Sequence, residues 1–203
     1  MKGKLITFEG SEGSGKSTQI GLLKKYLMKK KKAVLFFREP GGVKISEKIR
    51  RLLLDVNNEQ MSPACELFLY MAARSQLVDQ AILPQLKKGN IVLCDRFLDS
   101  TVAYQGYGNG VDIGFIKKLG DYATKGIKPD LTIVFDLEAK KGLFRIKRKK
   151  DRIEQRAVSY HQRVQYGYLD IAKKDPKRVK VIKVNKTKEE IHAQICQYVD
   201  ALI

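Results

Sequence analysis

Short, nearly continuous apolar runs alternate with longer stretches of helical spacing along the whole chain. Leu5-Ile-Thr-Phe8, Ala33–Phe37, Ile91–Cys94, Leu131–Phe135 and Val179–Val184 have strand length and composition. The last alternates Val179, Val181, Ile182 and Val184 with lysines. Between them, Ser17–Lys30 places Ile20, Leu23 and Leu27 on one helical face. Ser46–Leu54, Ser62–Lys88 and Glu189–Leu202 also read as largely helical, with Pro63 and Pro84 suited to helix starts or breaks. Strands that are apolar throughout and separated by helices predict an α/β domain: a five-stranded parallel sheet covered by helices on both faces. In such sheets ligands bind beyond the carboxyl ends of the strands. The segments to examine are therefore Gly10–Thr18, Arg38–Gly42, Asp95–Arg96, Asp136 and Asn185.

With 203 residues the chain can bury a core without disulfides. Cys65, Cys94 and Cys196 are far apart, odd in number and outside any CxxC pair, so they read as small hydrophobes in a reducing compartment. No apolar run approaches the ~18 residues of a membrane span. Met1–Lys4 leads straight into the first strand without the apolar region of a signal peptide. The expectation is a cytoplasmic protein with no membrane association. A net charge of +18 points to an anionic ligand, either polyphosphates or nucleic acid.

The segment Gly10-Ser11-Glu12-Gly13-Ser14-Gly15-Lys16-Ser17, followed by Thr18, matches GxxxxGK[ST] in a strand–loop–helix context. Its glycines let successive N–H groups turn inward, where with the helix N-terminus they cradle phosphate. Lys16 is placed to span the β- and γ-phosphates, and the Ser17 hydroxyl to ligate Mg²⁺. The loop alone specifies nucleotide triphosphate binding and leaves GTPase, ATPase and kinase open. Glu12 is awkward among phosphate-binding amides unless it points to a sugar hydroxyl or a metal-bound water on an acceptor.

Further motifs narrow the choice. They are Arg38-Glu-Pro-Gly-Gly42 with Glu47 and Arg50, Asp95-Arg96-Phe97, Ser100 with Ala103-Tyr-Gln-Gly106, and Asp151-Arg-Ile-Glu154. Together, in this order and over roughly Gly3 to Tyr168, they resemble the thymidylate kinase family of P-loop nucleoside monophosphate kinases. The resemblance implies a three-layer P-loop fold in one domain spanning 1–203, with a mobile basic lid at about 138–156. It implies transfer of the γ-phosphoryl group of ATP to thymidine monophosphate (dTMP), with Mg²⁺, for dTTP synthesis.

Asp95 stands where a strand-end carboxylate reaches Mg²⁺ through water. Arg96 can fork onto a phosphate bidentately, and the resemblance gives it the acceptor phosphate. Arg74 lies in the apolar stretch Leu67–Ala73, where an unpaired guanidinium is costly, so it faces either a ligand or a carboxylate. The resemblance implies a contact to the thymine ring, with Tyr70 stacking on the same base in preference to serving as a core aromatic. Ser100 and Gln105 offer hydrogen bonds to a pyrimidine edge. Arg38, Arg50 and Tyr104 complete the implied substrate-binding set.

Arg145–Arg152 carries six cations in eight residues. Alone it reads as a solvated helix face, a nucleic-acid patch or a phosphate clamp. The phosphate loop lacks arginine, so the resemblance implies the class whose catalytic arginine is in the lid, with Arg148 and Arg152 as candidates beside Lys16, Arg96 and Glu12. Val43, Asn109 and Asn185 depart from the family pattern, which has threonine, arginine and aspartate respectively. The resemblance further implies a homodimer formed through the Ser62–Lys88 and Val111–Ala123 regions. The rivals are a kinase for another nucleoside monophosphate, a basic nucleic-acid-binding P-loop ATPase, and an inactive relative. The second of these needs basic residues interleaved with aromatics, a pattern the chain lacks.

Overall fold

The computed structural model describes residues 3–203; Met1 and Lys2 lie outside the described residues. The five strands are β1 (Lys4–Gly10), β2 (Val34–Arg38), β3 (Ile91–Asp95), β4 (Leu131–Asp136) and β5 (Val179–Lys183). They form one parallel sheet in the order β2-β3-β1-β4-β5. The order reverses around β1, so its carboxyl end opens onto the crevice between the β3 and β4 sides.

Alternation along the strands sorts side chains into two layers. Ile6, Phe8, Leu93, Ile133, Phe135 and Ile182 pack against Leu23 and Leu27 of α1 (Lys16–Lys29) and Ile191, Ile195 and Val199 of a long C-terminal helix. On the other face Leu5, Val92 and Cys94 meet Leu77, Val78, Ile82 and Phe97. Beside them, Val134 and Val179 meet Tyr104, Tyr160, Val164 and Tyr168. This is the three-layer arrangement expected from the pattern of apolar runs.

Helix α2 (Lys44–Leu54) follows β2. The expected helical region 62–88 is α3 (Pro63–Leu77), a π-helical stretch (Val78–Ile82) and α4 (Leu83–Lys87), wound continuously. Ser62 caps α3 by accepting from Cys65 N–H, and Pro63 occupies the first turn, where its missing N–H costs nothing. Pro84 does not break the path: it sits in the first turn of α4, directly after the π stretch. After β3 come α5 (Leu98–Thr101), a second π-helical stretch (Val102–Gly108) and α6 (Ile113–Thr124), the last capped by Asp112.

Three helices complete the chain: α7 (Ala139–Phe144), α8 (Val158–Lys174) and α9 (Lys188–Asp200). A capping box formed by Thr187 and Glu190 starts α9. Helix α8 was not legible as an apolar helix, because its buried face is Tyr160, His161, Val164, Gly167, Tyr168 and Ala172. Among the described residues no helix is long and apolar enough to cross a membrane.

Candidate active site

A cavity of about 670 Å³ lies over the carboxyl ends of β1, β2 and β3. Residues 12–18 line one end. Gly13 and Gly15 hold positive φ of 67° and 90°, the conformation the loop needs and other residues resist. Helix α1 begins at Lys16 with no side-chain cap, which leaves its first N–H groups available to an anion. Lys16 is buried, and its ammonium donates to the carbonyls of Gly10 (3.0 Å) and Ser11 (2.8 Å). Burial and the nearby Arg96 guanidinium bring its pKa down to about 8.

Arg96 faces this loop. Its φ of 71° is unusual for a bulky residue and turns the chain sharply off β3. Its guanidinium donates to Ser100 Oγ (3.1 Å), the Tyr168 hydroxyl (3.0 Å), the Tyr104 hydroxyl (3.2 Å) and the Glu12 carboxylate, and lies over the Tyr104 ring. Burial alone would raise the Glu12 pKa, but Arg96 and Lys16 outweigh it and hold Glu12 at about 2. Glu12 thus bridges the phosphate loop and the Arg96 turn.

Beneath Arg96 lies a residue that sequence reasoning missed. Glu9 is fully buried at the end of β1, on the face opposite Phe8. Its carboxylate accepts from Phe97 N–H (2.7 Å), Ser100 Oγ and the Tyr168 hydroxyl (3.2 Å). Burial first, and then Asp99, push its pKa up to about 7. The one available signal was an acid at the end of an otherwise apolar strand. Ser100, expected to read a pyrimidine edge, borders the cavity and is hydrogen-bonded to Glu9, Arg96 and Tyr168.

Arg74 settles on a carboxylate. It is 2% exposed, and its Nε donates to Glu39 Oε2 at 2.7 Å while a terminal nitrogen reaches the Phe97 carbonyl at 3.0 Å. Both Arg74 and Glu39 border the cavity, and Glu39 Oε1 is buried without a partner. Arg38 and Arg50 border it too. Glu47 receives Arg38 and the Gly42 N–H, and Arg50 donates to the Pro40 carbonyl. The Glu39–Pro40 peptide is cis. Tyr70 and Tyr104 contribute walls, and Gln105 donates its amide to Glu66 at 2.9 Å.

The two expected lid arginines are separated. Arg148 borders the cavity, mostly exposed, gripped bidentately by Glu154 at 2.6 and 2.8 Å. Arg152 does not reach it. Its guanidinium is buried on Glu66 Oε2 (2.7 Å) and the Leu53 carbonyl (2.8 Å), because an acid buried on α3 takes the nearest cation. A different cation, Arg145, donates to the Gly13 carbonyl at 3.2 Å. Nearby Gly142 packs so closely that an added Cβ would collide with the Glu12 carbonyl.

A divalent ion would find Ser17 at the start of α1 and Asp95 at the end of β3. Asp95 Oδ1 is buried with no hydrogen-bond partner, which fits a carboxylate kept for an ion or its water. Few protein ligands beside a phosphate loop suit Mg²⁺, which retains waters and binds substrate phosphates.

Set beside known proteins, residues 8–195 match the thymidylate kinase family model. The chain belongs to the thymidylate kinase family. A thymidylate kinase of Kosmotoga olearia is 45% identical over 94% of this chain and 92% of its own length. One of Thermoanaerobacter pseudethanolicus is 44% identical over 98% of both. The crystal structure of thymidylate kinase from Ehrlichia chaffeensis superposes with a TM-score of 0.80 at 34% identity, covering 98% of this chain and 99% of that one. As a member of the thymidylate kinase family the chain is a nucleoside monophosphate kinase, a phosphotransferase, with the P-loop α/β fold of that family.

Proposed function

We propose that the chain phosphorylates dTMP to dTDP with ATP and Mg²⁺, in the cytoplasm and toward dTTP synthesis. The observation that carries this reading is the single cavity that has the phosphate loop at one end and the tyrosine-braced Arg96 beside it. Membership of the thymidylate kinase family supports dTMP as acceptor.

In this reading the loop amides of Gly13–Thr18 and the start of α1 hold the phosphates of ATP. Lys16 exchanges the Gly10 and Ser11 carbonyls for β- and γ-phosphate oxygens. Ser17 and Asp95 would hold Mg²⁺, which would supply charge neutralisation on those phosphates. Arg96 orients the acceptor phosphate, and its tyrosine and serine partners keep the fork in place. Tyr70, Arg74, Gln105, Arg38 and Arg50 border the space for the nucleoside and its phosphate.

An ionised acceptor oxygen attacks the γ-phosphorus as the bridging bond to the β-phosphate breaks, and ADP leaves. The nucleophile carries no proton to remove, so the chain's work is alignment and charge neutralisation. Glu12, ionised at neutral pH, aligns Arg96 and acts as no base. Segment 138–156 is the proposed lid; Arg148 is its arginine at the cavity, and Arg152 anchors it.

Ile45 and Leu52 on α2, Phe68 on α3, and Phe115 and Tyr122 on α6 are exposed apolar side chains that support a homodimer through these helices. Light scattering of the purified protein tests that state. The activity is tested by coupled ADP release across a panel of ribo- and deoxynucleoside monophosphates. Fastest turnover with dTMP is the expected result. Fastest turnover with a purine monophosphate would overturn the acceptor assignment.

A further inference from the structure

One carboxylate outside the transfer machinery collects donors from two separate parts of the chain. Glu66 on α3 is fully buried. Its Oε2 accepts from Arg152 (2.7 Å) and Arg156 (2.6 Å), both on the return of the proposed lid. Its Oε1 accepts from Gln105 (2.9 Å) and Asn109 (2.9 Å), both on the segment after β3. Asn109 also receives Arg156 on its amide oxygen. A carboxylate this buried demands such company, since burying it without hydrogen-bond partners is costly.

The partners lead in two directions. Toward the cavity, Tyr70 is one helical turn beyond Glu66, and Gln105 borders the same space. Because a carboxylate only accepts, Glu66 fixes the nitrogen of the Gln105 amide on itself and leaves the amide oxygen as the end available to a ligand donor. Toward the lid, Arg152 is followed two residues later by Glu154, which grips Arg148. Asp151 ties this turn together by accepting from the N–H groups of Ile153 and Glu154 at 3.0 Å. The path from acceptor wall to Arg148 therefore runs through hydrogen-bonded side chains joined by the backbone turn of residues 151–154.

We infer that Glu66 is a positioning residue that couples occupancy of the acceptor site to the placement of the lid arginine Arg148. The inference rests on the acceptor and lid assignments above and adds the connection between them. It also accounts for Asn109, which departs from the arginine of the family pattern. Glu66 already holds two arginines, and the neutral amide of Asn109 bonds both the carboxylate and Arg156 without a third positive charge.

The test uses the full chain, wild type and Glu66→Gln, with Arg156→Gln as a second variant. Arg156 is partly exposed, so its loss leaves the core intact. The acceptor is whichever monophosphate the wild type turns over fastest, so a wrong base assignment shows up as a different acceptor and leaves this test in place. Two quantities are read: the kinetic constants, and the rate of tryptic cleavage at exposed Lys147 and Lys149 with and without that acceptor.

In the wild type the acceptor slows cleavage. In both variants that slowing is lost, and kcat falls by about tenfold to a hundredfold, the size of effect that a misplaced group produces. Acceptor KM moves less than about threefold, as for an interaction made after binding. Wild-type kcat and wild-type protection in a folded variant overturn the inference. If Glu66→Gln does not fold, Arg156→Gln decides it by the same two readouts.

Discussion

The two ends of the cavity are built by different means. The phosphate-loop end is local: nine consecutive residues, Gly10–Thr18, supply backbone donors, the lysine and the start of α1. The acceptor and lid end is assembled from afar. Arg74 meets Glu39, Arg96 meets Glu12, and Glu66 meets Arg152 and Arg156, pairs separated by 35 to 90 positions. The first end depends on glycine geometry; the second depends on charges matched in the interior. A loop of backbone donors tolerates changes in the surrounding fold, whereas a buried ion pair binds the stability of the chain to the accuracy of its site.

This difference can be broken experimentally at either end. Lys16→Ala should have the largest effect on catalysis and a small effect on folding, because its bonds are to loop carbonyls. Turnover in the coupled assay should fall by about 10³-fold or more, consistent with removing a preorganised charge from a transferring phosphate. Turnover within tenfold of wild type would show that the loop end is not the ATP site.

Arg74→Ala should do the reverse and act on stability first, leaving Glu39 buried and unpaired at a cost of about 3–5 kcal/mol. Urea unfolding measures this. The double change Arg74→Met with Glu39→Gln should recover most of that loss, because it removes both charges. No recovery would locate the effect in packing.

The lid arginines sharpen the contrast within one segment. Arg148→Ala should lower kcat by about 10²-fold, with a smaller loss of melting temperature than Arg152→Ala, because Arg148 is mostly exposed although its partner Glu154 is buried. Arg152→Ala should lower the melting temperature first, since it strands part of the Glu66 carboxylate. Equal behaviour of the two variants would erase the distinction between a cavity arginine and an anchor.

The last effect concerns pH and is conditional on it. The folded chain holds the Glu9 proton more tightly than the unfolded chain, with a pKa near 7 against 4.5. Stability from the protonated form is present below pH 4.5 and is lost as the pH rises through about 7. The difference is on the order of 3 kcal/mol, read as the change in unfolding free energy between wild type and Glu9→Gln across that range. Parallel curves for the two proteins would mean that the Tyr168, Ser100 and Phe97 donors keep Glu9 ionised.

Most of the fold was legible because strand runs are apolar on both faces and turn over at recognisable residues. The phosphate loop, Arg96, Arg148, Tyr70 and Tyr104, all picked out in the sequence, border one cavity. What was not legible has a common physical cause. Glu9, Glu39, Glu66 and Glu154 look like ordinary acids in sequence, and only tertiary packing buries them against cations. The cationic cluster showed the other half of the problem: Arg148 and Arg152 are indistinguishable in composition, and it is the position of Glu66 that sends one inward. Helix α8 escaped because tyrosine, histidine and glycine make up its buried face, and tyrosine hydroxyls rather than aliphatic carbons brace Arg96.

The close approach of Gly142 to the Glu12 carbonyl, with Arg145 on Gly13, has a consequence for movement. The proposed lid is pinned at its root by the phosphate loop and at its return by Arg152 on Glu66, leaving residues 146–151 between the fixed points. A tether of that length has a contour of roughly 20 Å, so its tip can travel only about half that from its anchors. It is a short flap rather than a swinging arm.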